Sequence, residues 1–541
     1  MPLPDPPAGL SERIGRDLLP KSSADRARAS SSLISWRYLD ASLLGLLILS
    51  ITAFNLLWIS RDSGRMYVDF ARHLGDSVVY MDTFSPSHLL SALETYVYYP
   101  PFAYWVTDFF YAALGTTFRV AILSNVFFLS ILIVATYGIG KTLWSRRVGL
   151  LSALLVVTTP MLVSLFKEYM LDAQLTAMVA AALYFVIRSE SFSRRGFSLA
   201  LGVTCGFGLL TKWTFPFFIA LPVVVAAATA LRTGVSHRSR GTLTNMVLAG
   251  LLTFAISGIW YVHNYSQIRA GFKFNATQAG VLVGDPQVGS LSSVLWYFWN
   301  LLNNQLYLIP FLFLLVGVVF SFARDDAASR NLYPIVMIAG TYVAFTLLRN
   351  KDFRHTLPML PAVAVVATSW LENLKPTFRR WLGGGLVAYC LLAFFVISFG
   401  TSLLPGRIAI PLKARSATSN LFEFLPPESV TVKGIVVFAQ HGFVIGQPSG
   451  QRWHQDAIFR EIADRGGKSF AYYGEPLETI WFNTWGVRYY GLRYHALWVA
   501  PESAQFLIVR GPVVAGSTKG FVQIKEYQLP YDGPVRLYER I

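Results

Sequence analysis

The sequence predicts an all-α polytopic membrane domain of about eleven transmembrane helices, followed by a small soluble α/β C-terminal domain. Three observations carry that expectation. The chain is 54% hydrophobic and only 14% charged, with a mean hydropathy of +0.46, whereas an ordinary soluble domain is about one quarter charged. Its charges sit in short loops, leaving apolar runs near the roughly twenty residues that a hydrocarbon layer requires of a helix. Alternate loops are uniformly basic, the signature of chain segments retained on the cytoplasmic side.

Residues 1–40 are polar and rich in Pro and Ser, with no hydrophobic core for a cleavable signal peptide. They read as a cytoplasmic tail, and the first retained helix is expected to carry targeting. The expected spans are 41–60, 119–140, 149–166, 171–187, 197–210, 215–231, 246–261, 305–322, 333–348, 357–371 and 381–400. Segments 100–114 and 291–302 are also apolar, but their Pro, Asp and Asn content reads as interfacial or re-entrant helix. The membrane domain therefore covers 41–403, with one long outside loop at 61–118.

Beyond it the pattern shortens. Residues 430–438, 506–509 and 535–538 read as strands and 456–465 as a helix, so 404–541 is expected to be the soluble domain. With the N-terminus cytoplasmic, every inside segment carries Lys or Arg, among them Lys141, Arg146 and Arg147, then Arg188, Arg194 and Arg195. An odd number of spans then places the C-terminal domain outside, periplasmic or extracellular, in a multi-pass plasma-membrane protein.

The net charge of +16 lies between apolar spans rather than on one soluble face, which argues against nucleic acid as a partner. Cys205 and Cys390 fall inside apolar stretches and build neither a disulfide framework nor a metal cluster. There is no Walker loop, dinucleotide fingerprint, HExxH or nucleophile elbow. Nor is an internal repeat visible.

Chemistry is left to the outside loops. Asp62 follows the first span, and Arg61 and Arg65 beside it would hold it ionised and could bind a phosphate. Glu168 and Asp172 flank the next outside turn. Asp172 heads a helix, where it is either a simple N-terminal cap or an acid facing the bundle. Lys212, in Leu-Leu-Thr-Lys212-Trp213, either snorkels to the interface or binds an anionic head group. The run Arg349-Asn-Lys351-Asp-Phe-Arg354-His355 places three cations on one outside loop, against the charge bias, and favours a phosphate ligand. Tyr99-Pro-Pro-Phe-Ala-Tyr104-Trp105 reads as an aromatic belt or as a helix start fixed by two prolines. Acids and cations on the outer leaflet suit a lipid-phosphate substrate.

In this order the motifs resemble the GT-C superfamily of membrane glycosyltransferases, most closely the protein O-mannosyltransferase and lipid A aminoarabinose transferase group. Asp62, Arg65 and Tyr67 match the acid, Arg and Tyr behind the first span. Tyr99-Pro-Pro-Phe-Ala-Tyr104-Trp105 matches a basic-Pro-Pro-Leu-x-Tyr-Trp stretch, and Leu143-Trp-Ser-Arg146-Arg147 matches a cytoplasmic turn. Asp172, with Glu168, matches a second acid; Gly206-Phe-Gly-Leu-Leu-Thr-Lys212 and Lys351-Asp-Phe-Arg354-His355-Thr-Leu-Pro358 complete the series. Ser63 replaces a second acid. Tyr99 replaces a basic residue, so a contact to phosphate is either missing or supplied by His88, Arg65 or Arg354.

The resemblance implies a GT-C-like fold and inverting transfer of a sugar from a polyprenyl-phosphate donor to a lipid, glycan or protein acceptor. Asp62 would be the general base, Lys212, Lys351, Arg354 and Arg65 would hold the leaving phosphate, and Asp172 and Glu168 would orient the acceptor or help the base. Tyr67, His88, Tyr99, Tyr104 and His355 would complete the substrate site. No cofactor is implied, and close relatives need no metal, although some superfamily members use a divalent ion. A transporter or flippase for a lipid-linked sugar would share the basic outer sites without needing Asp62 as a base.

Overall fold

The computed structural model describes residues 23–64, 66–83, 93–95, 98–233, 239–282, 284–399, 429–432, 435–439, 448–474, 482–512, 516–530 and 533–541. The chain divides into two compact units, Met1–Ile51 and Thr52–Ile541. What is described of the first unit is helix, the N-terminal part of α1 (Ser23–Arg61). All other described elements belong to the second.

Helix occurs at each segment expected to span. α2 (Val68–Thr83) and α3 (Phe102–Leu114) lie in the segment 61–118, and α4 (Phe118–Leu143) and α5 (Arg146–Val157) form the first helical hairpin after it. There follow α6 (Pro160–Leu165), α7 (Leu171–Ser189), α8 (Arg195–Leu209), α9 (Pro216–Thr233), α10 (Ser239–His263) and α11 (Tyr265–Phe274). The series closes with α12 (Leu291–Asn300), α13 (Leu308–Ala323), α14 (Leu332–Thr346), α15 (Leu360–Ser369) and α16 (Pro376–Phe399). Among the described residues, five helices are long and apolar enough to cross a membrane: Tyr38–Arg61, Phe118–Leu143, Leu171–Ser189, Gly241–His263 and Pro376–Phe399. Shorter apolar helices at Pro216–Arg232, Leu308–Ala323 and Leu332–Thr346 accompany them.

One expected span is broken. The segment 149–166 divides into α5 and α6 because Pro160 contributes no amide donor, and the Thr158 and Thr159 hydroxyls turn back onto the carbonyls of Leu154 (2.8 Å) and Val156 (2.7 Å). The α4–α5 hairpin closes on glycine. A Cβ on Gly149 would stand 2.6 Å from the Tyr137 carbonyl oxygen, so nothing larger fits there. The double proline before Phe102 does start a helix, with Pro101 at the N-cap of α3.

The C-terminal region is α/β, in keeping with its shorter runs. The expected strand at 430–438 is instead an antiparallel pair, β1 (Ser429–Val432) and β2 (Ile435–Ala439), separated in sequence by Lys433-Gly434, a poor pair for a strand interior. The main sheet contains β3 (Ser469–Tyr473), β4 (Leu497–Trp498), β5 (Phe506–Arg510), β6 (Phe521–Gln528) and β7 (Pro534–Arg540), in the order β4-β3-β5-β7-β6. β3 runs parallel to β4 and β5, and β7 antiparallel to β5 and β6. β5 is buried along its whole length, and Leu507 and Val509 pack with Ala471 and Tyr538 in the small core. Helix α17 (Gln455–Asp464) matches the expected helix, whereas α18 (Thr484–Arg493) has no counterpart among the expected elements.

α18 ties this region to the segment 61–118. Asn483 caps it by accepting from the Gly486 amide at 2.9 Å, and its amide nitrogen donates to the Met66 carbonyl at 3.0 Å. Two residues past that cap, the Trp485 ring receives the Arg72 guanidinium of α2 at 4.9 Å.

Candidate active site

Three chain segments meet at one end of the bundle. The first is the start of α7, where Asp172 lies in the first turn, 4% exposed. Oδ1 of its carboxylate accepts from the Lys212 ammonium at 2.7 Å, so the acid faces the bundle rather than capping its own helix. Lys212 is carried by the turn between α8 and α9, and Pro216 opens α9 just beyond. The ammonium also stands 5.5 Å from the centre of the Tyr99 ring. Buried and within ion-pair reach, the two charges satisfy each other where water cannot.

The second segment is the run into α2. Tyr67 is half-buried with its hydroxyl turned inward beside Glu168; burial of that hydroxyl first, then the Glu168 carboxylate, raises it well above the usual tyrosine range. Asp69 opens the helix. One turn on, His73 meets the Tyr104 hydroxyl through Nδ1 at 3.0 Å, and burial pushes its imidazole down to about 3, so it is neutral.

The third segment is the loop after α14. Here the Arg354 guanidinium grips Asp352 through Nε (3.0 Å) and Nη2 (2.7 Å), and the same Nη2 reaches Asp69 at 2.9 Å. Burial alone would raise the Asp352 carboxyl, but the charge and hydrogen bonds of Arg354 outweigh it and hold the group below the usual carboxylate range. His355 stacks on Phe345 at 5.2 Å and meets the Tyr297 hydroxyl at 3.3 Å; burial lowers it to about 4. The fields of Asp172, Lys212, Asp352 and Arg354 all act on His355, and those of Asp69, Lys212 and Asp172 on His73. These groups form one electrostatic cluster.

The remaining expected participants among the described residues have partners of their own. Lys351 is committed to α14: its ammonium donates to the carbonyls of Phe345 (2.9 Å), Thr346 (2.8 Å) and Leu348 (2.8 Å), using all three protons on the helix C-terminus. It has none left for a phosphate. Lys351→Met is expected to lower stability by about 2 kcal/mol through the orphaned carbonyls, read as a lower unfolding temperature in detergent, while lipid-phosphate binding per folded molecule is retained.

Asp62 is 5% exposed and accepts backbone amides on both oxygens, from Gly64 (2.9 Å) and from Ser449 of the C-terminal domain (2.9 Å). The Ser63 amide returns a bond to the Ser449 carbonyl at 2.8 Å. Asp62 is thus a tie between loop and domain. Asp62→Ala, which leaves both amides unsatisfied, is expected to cost about 1–3 kcal/mol and to speed proteolysis within residues 404–541.

Glu168 is fully buried, Tyr104 stacks on Tyr80 at 5.2 Å, and Tyr99 packs on His73 at 5.1 Å. Tyr99, Lys212, Trp213, Asn350 and His355 line a cavity of about 60 Å³. Arg65 and His88 lie outside the described residues. Among the described residues, no three His, Cys, Asp or Glu side chains converge as a metal cage. Asp69, His73 and Asp352 were not among the expected site residues. The alternation Asp352-x-Arg354 was the available signal for one of them, because carboxylate and guanidinium two residues apart on a tight loop can pair directly.

Beside the same 210–215 turn runs an apolar groove of about 800 Å³ between α8, α9 and α10, walled by Leu209, Phe215, Ile219, Val223, Phe254 and Tyr261. A charged cluster next to a lipid-sized apolar groove can hold an amphiphile by its head and its tail together.

Residues 99–260 match the family described as dolichyl-phosphate-mannose-protein mannosyltransferase. The undecaprenyl phosphate-alpha-4-amino-4-deoxy-L-arabinose arabinosyl transferase of Pectobacterium carotovorum is 22% identical over 404 residues, covering 70% of this chain and 68% of that one. The enzyme of the same name from Aeromonas hydrophila is 25% identical over 283 residues, covering 48% and 49%. In three dimensions the chain is similar to the crystal structure of ArnT from Cupriavidus metallidurans bound to undecaprenyl phosphate. The TM-score is 0.56 at 15% identity, covering 94% of this chain and 98% of that one.

Proposed function

We infer that this chain, which resembles the GT-C superfamily of membrane glycosyltransferases in sequence and in fold, moves a sugar from a polyprenyl-phosphate donor to an acceptor on the extracytoplasmic side of the membrane, with inversion. The observation that carries the reading is the convergence of Lys212 and Arg354 with Asp69, Asp172 and Asp352 at the outer-loop end of the bundle. Beside them opens a groove of lipid dimensions. Support also comes from the relatives: one holds undecaprenyl phosphate, and two are named for an undecaprenyl-phosphate donor. The Lys/Arg bias of the alternate loops supports the extracytoplasmic side.

The chemistry follows from the charges. As the bond between the anomeric carbon and phosphate oxygen breaks, negative charge gathers on the phosphate, and fixed cations in a water-poor site stabilise that charge more than they stabilise the intact donor. Arg354 offers a planar fork to phosphate oxygens, and Lys212 a point charge next to the tail groove. Asp172 holds the ammonium in place, and Asp352 does the same for the guanidinium. His73, buried, and His355, half-buried, are both neutral and can donate or accept a hydrogen bond without adding charge. An acceptor attacking opposite the phosphate must also lose a proton to a base.

The test is to reconstitute the chain in lipid discs with a panel of polyprenyl-phosphate hexoses and pentoses and to follow release of free polyprenyl phosphate with transfer to membrane glycolipids or envelope glycans. Release that depends on the chain supports the reading. Movement of intact donor across the bilayer without release would replace it with that of a transporter.

A further inference from the structure

We propose that a groove at the far end of α7 binds an anionic membrane phospholipid, its acyl chains lying on α4, α7 and α8 and its phosphate held by Lys141 and Arg188. The site does not depend on the transferase reading. Arg188 stands sixteen residues beyond Asp172 on the same apolar helix, about 24 Å at 1.5 Å per residue. It therefore belongs to the leaflet opposite the cluster of Lys212 and Arg354.

The groove follows from how three helices pack. α7 lies against both α4 and α8. Gly138 lets α7 come close to α4, since a Cβ there would stand 2.7 Å from the Tyr184 ring. Beside that contact remains a hollow of about 870 Å³, walled by Ile131, Val134, Met178, Ala181 and Phe185. Its volume is near the top of the range of about 300–1,000 Å³ in which small-molecule pockets fall. The wall is apolar and open along α4, where Val134 is 52% exposed. Hydrocarbon fills such a hollow at less cost than water.

One end is different. Lys141, Thr142 and Arg188 line the groove where α4 and α7 finish. A cation in a last turn answers the helix dipole, and a long side chain near a helix end can snorkel its head into water. Neither accounts for Arg188. Its guanidinium lies 4.5 Å from the centre of the Phe197 ring and 6.0 Å from that of Tyr184, and its Nε is buried without a hydrogen-bond partner. The nearby acid is engaged elsewhere, because Glu190 pairs with Arg194 at 2.7 Å. A guanidinium kept on aromatic rings with a donor unsatisfied costs free energy that an acceptor in the groove would return. Phosphate oxygens match its fork, and Lys141 adds a second charge at the same end. Two cations above an apolar wall favour a phospholipid with net negative charge over a zwitterionic one.

The test is native mass spectrometry of the purified chain with dioleoyl phosphatidylglycerol, beside dioleoyl phosphatidylcholine and undecaprenyl phosphate. The wild type is expected to hold phosphatidylglycerol at least about fivefold more tightly than phosphatidylcholine. Lys141→Gln with Arg188→Gln should weaken phosphatidylglycerol about tenfold or more and leave undecaprenyl phosphate binding unchanged, because the two sites are far apart. Val134→Trp keeps every charge and fills the groove from an exposed wall, so it should weaken phosphatidylglycerol severalfold. Arg147→Gln with Arg195→Gln removes two exposed cations at the same end that do not line the groove, and should keep the wild-type affinity. Equal loss in that charge-matched control overturns the proposal, as does equal retention of the two phospholipids by the wild type or undiminished binding by the Lys141 and Arg188 double variant. Displacement of phosphatidylglycerol by undecaprenyl phosphate would also overturn it, by giving the groove to a polyprenyl chain.

Discussion

Lys212→Ala is expected to lose transfer by about 100-fold or more and to destabilise the fold by about 3–5 kcal/mol. Both effects come from one atom. The ammonium neutralises a carboxylate 2.7 Å away that is otherwise closed off from water, and it is one of the two cations proposed to hold the leaving phosphate. Removing it leaves Asp172 charged and unpaired at the end of the bundle, the most costly way of breaking a buried pair. The two roles separate in a double change. Lys212→Met with Asp172→Leu replaces the pair by apolar side chains of similar reach, so thermal stability should return to near the wild type while turnover stays lost. Recovery of turnover in that variant would show that Lys212 acts through structure alone.

Arg354→Ala should fall further in transfer, by about 1,000-fold, because two carboxylates then face the incoming phosphate with no cation between them. Affinity for undecaprenyl phosphate should drop with it. Arg354→Lys keeps the charge but not the fork: a single ammonium cannot hold Asp352 through two nitrogens and also offer a second edge to phosphate. It is expected to remain more than about tenfold below the wild type. Arg354→Lys with wild-type kinetics would mean that charge alone matters at this position.

Much of the architecture can be read from residue order. Apolar runs and basic alternate loops locate helices because the bilayer imposes length and retained loops carry positive charge, and helix is found at every expected span. The break at Pro160 was legible in principle, since Thr-Thr-Pro offers two competing hydroxyls and withholds one amide. Asp172, Lys212 and Arg354 stand out in the sequence because a charge beside an apolar run is costly to keep without a partner.

What escapes reading is tertiary. Lys351 and Arg354 look alike in a loop that favours phosphate, yet one caps a helix and the other grips two acids; only the position of the last turn of α14 separates them. Asp62 is expected as a base from its place after the first span, but its bond to the amide of Ser449, nearly four hundred residues away, is not legible from residue order. Asp69 carries no sequence signal of its own, because a loop acid looks ordinary until its guanidinium partner is known, whereas Asp352 is marked only by its spacing from Arg354.

Binding of a polyprenyl carrier's phosphate by the cluster of Lys212 and Arg354 can be read by native mass spectrometry of the purified chain with undecaprenyl phosphate, wild type beside Arg354→Ala. A one-to-one adduct that survives in the wild type and is lost in the variant is the expected result. An adduct of equal abundance in both, or none in the wild type, would mean that the cluster does not hold the phosphate.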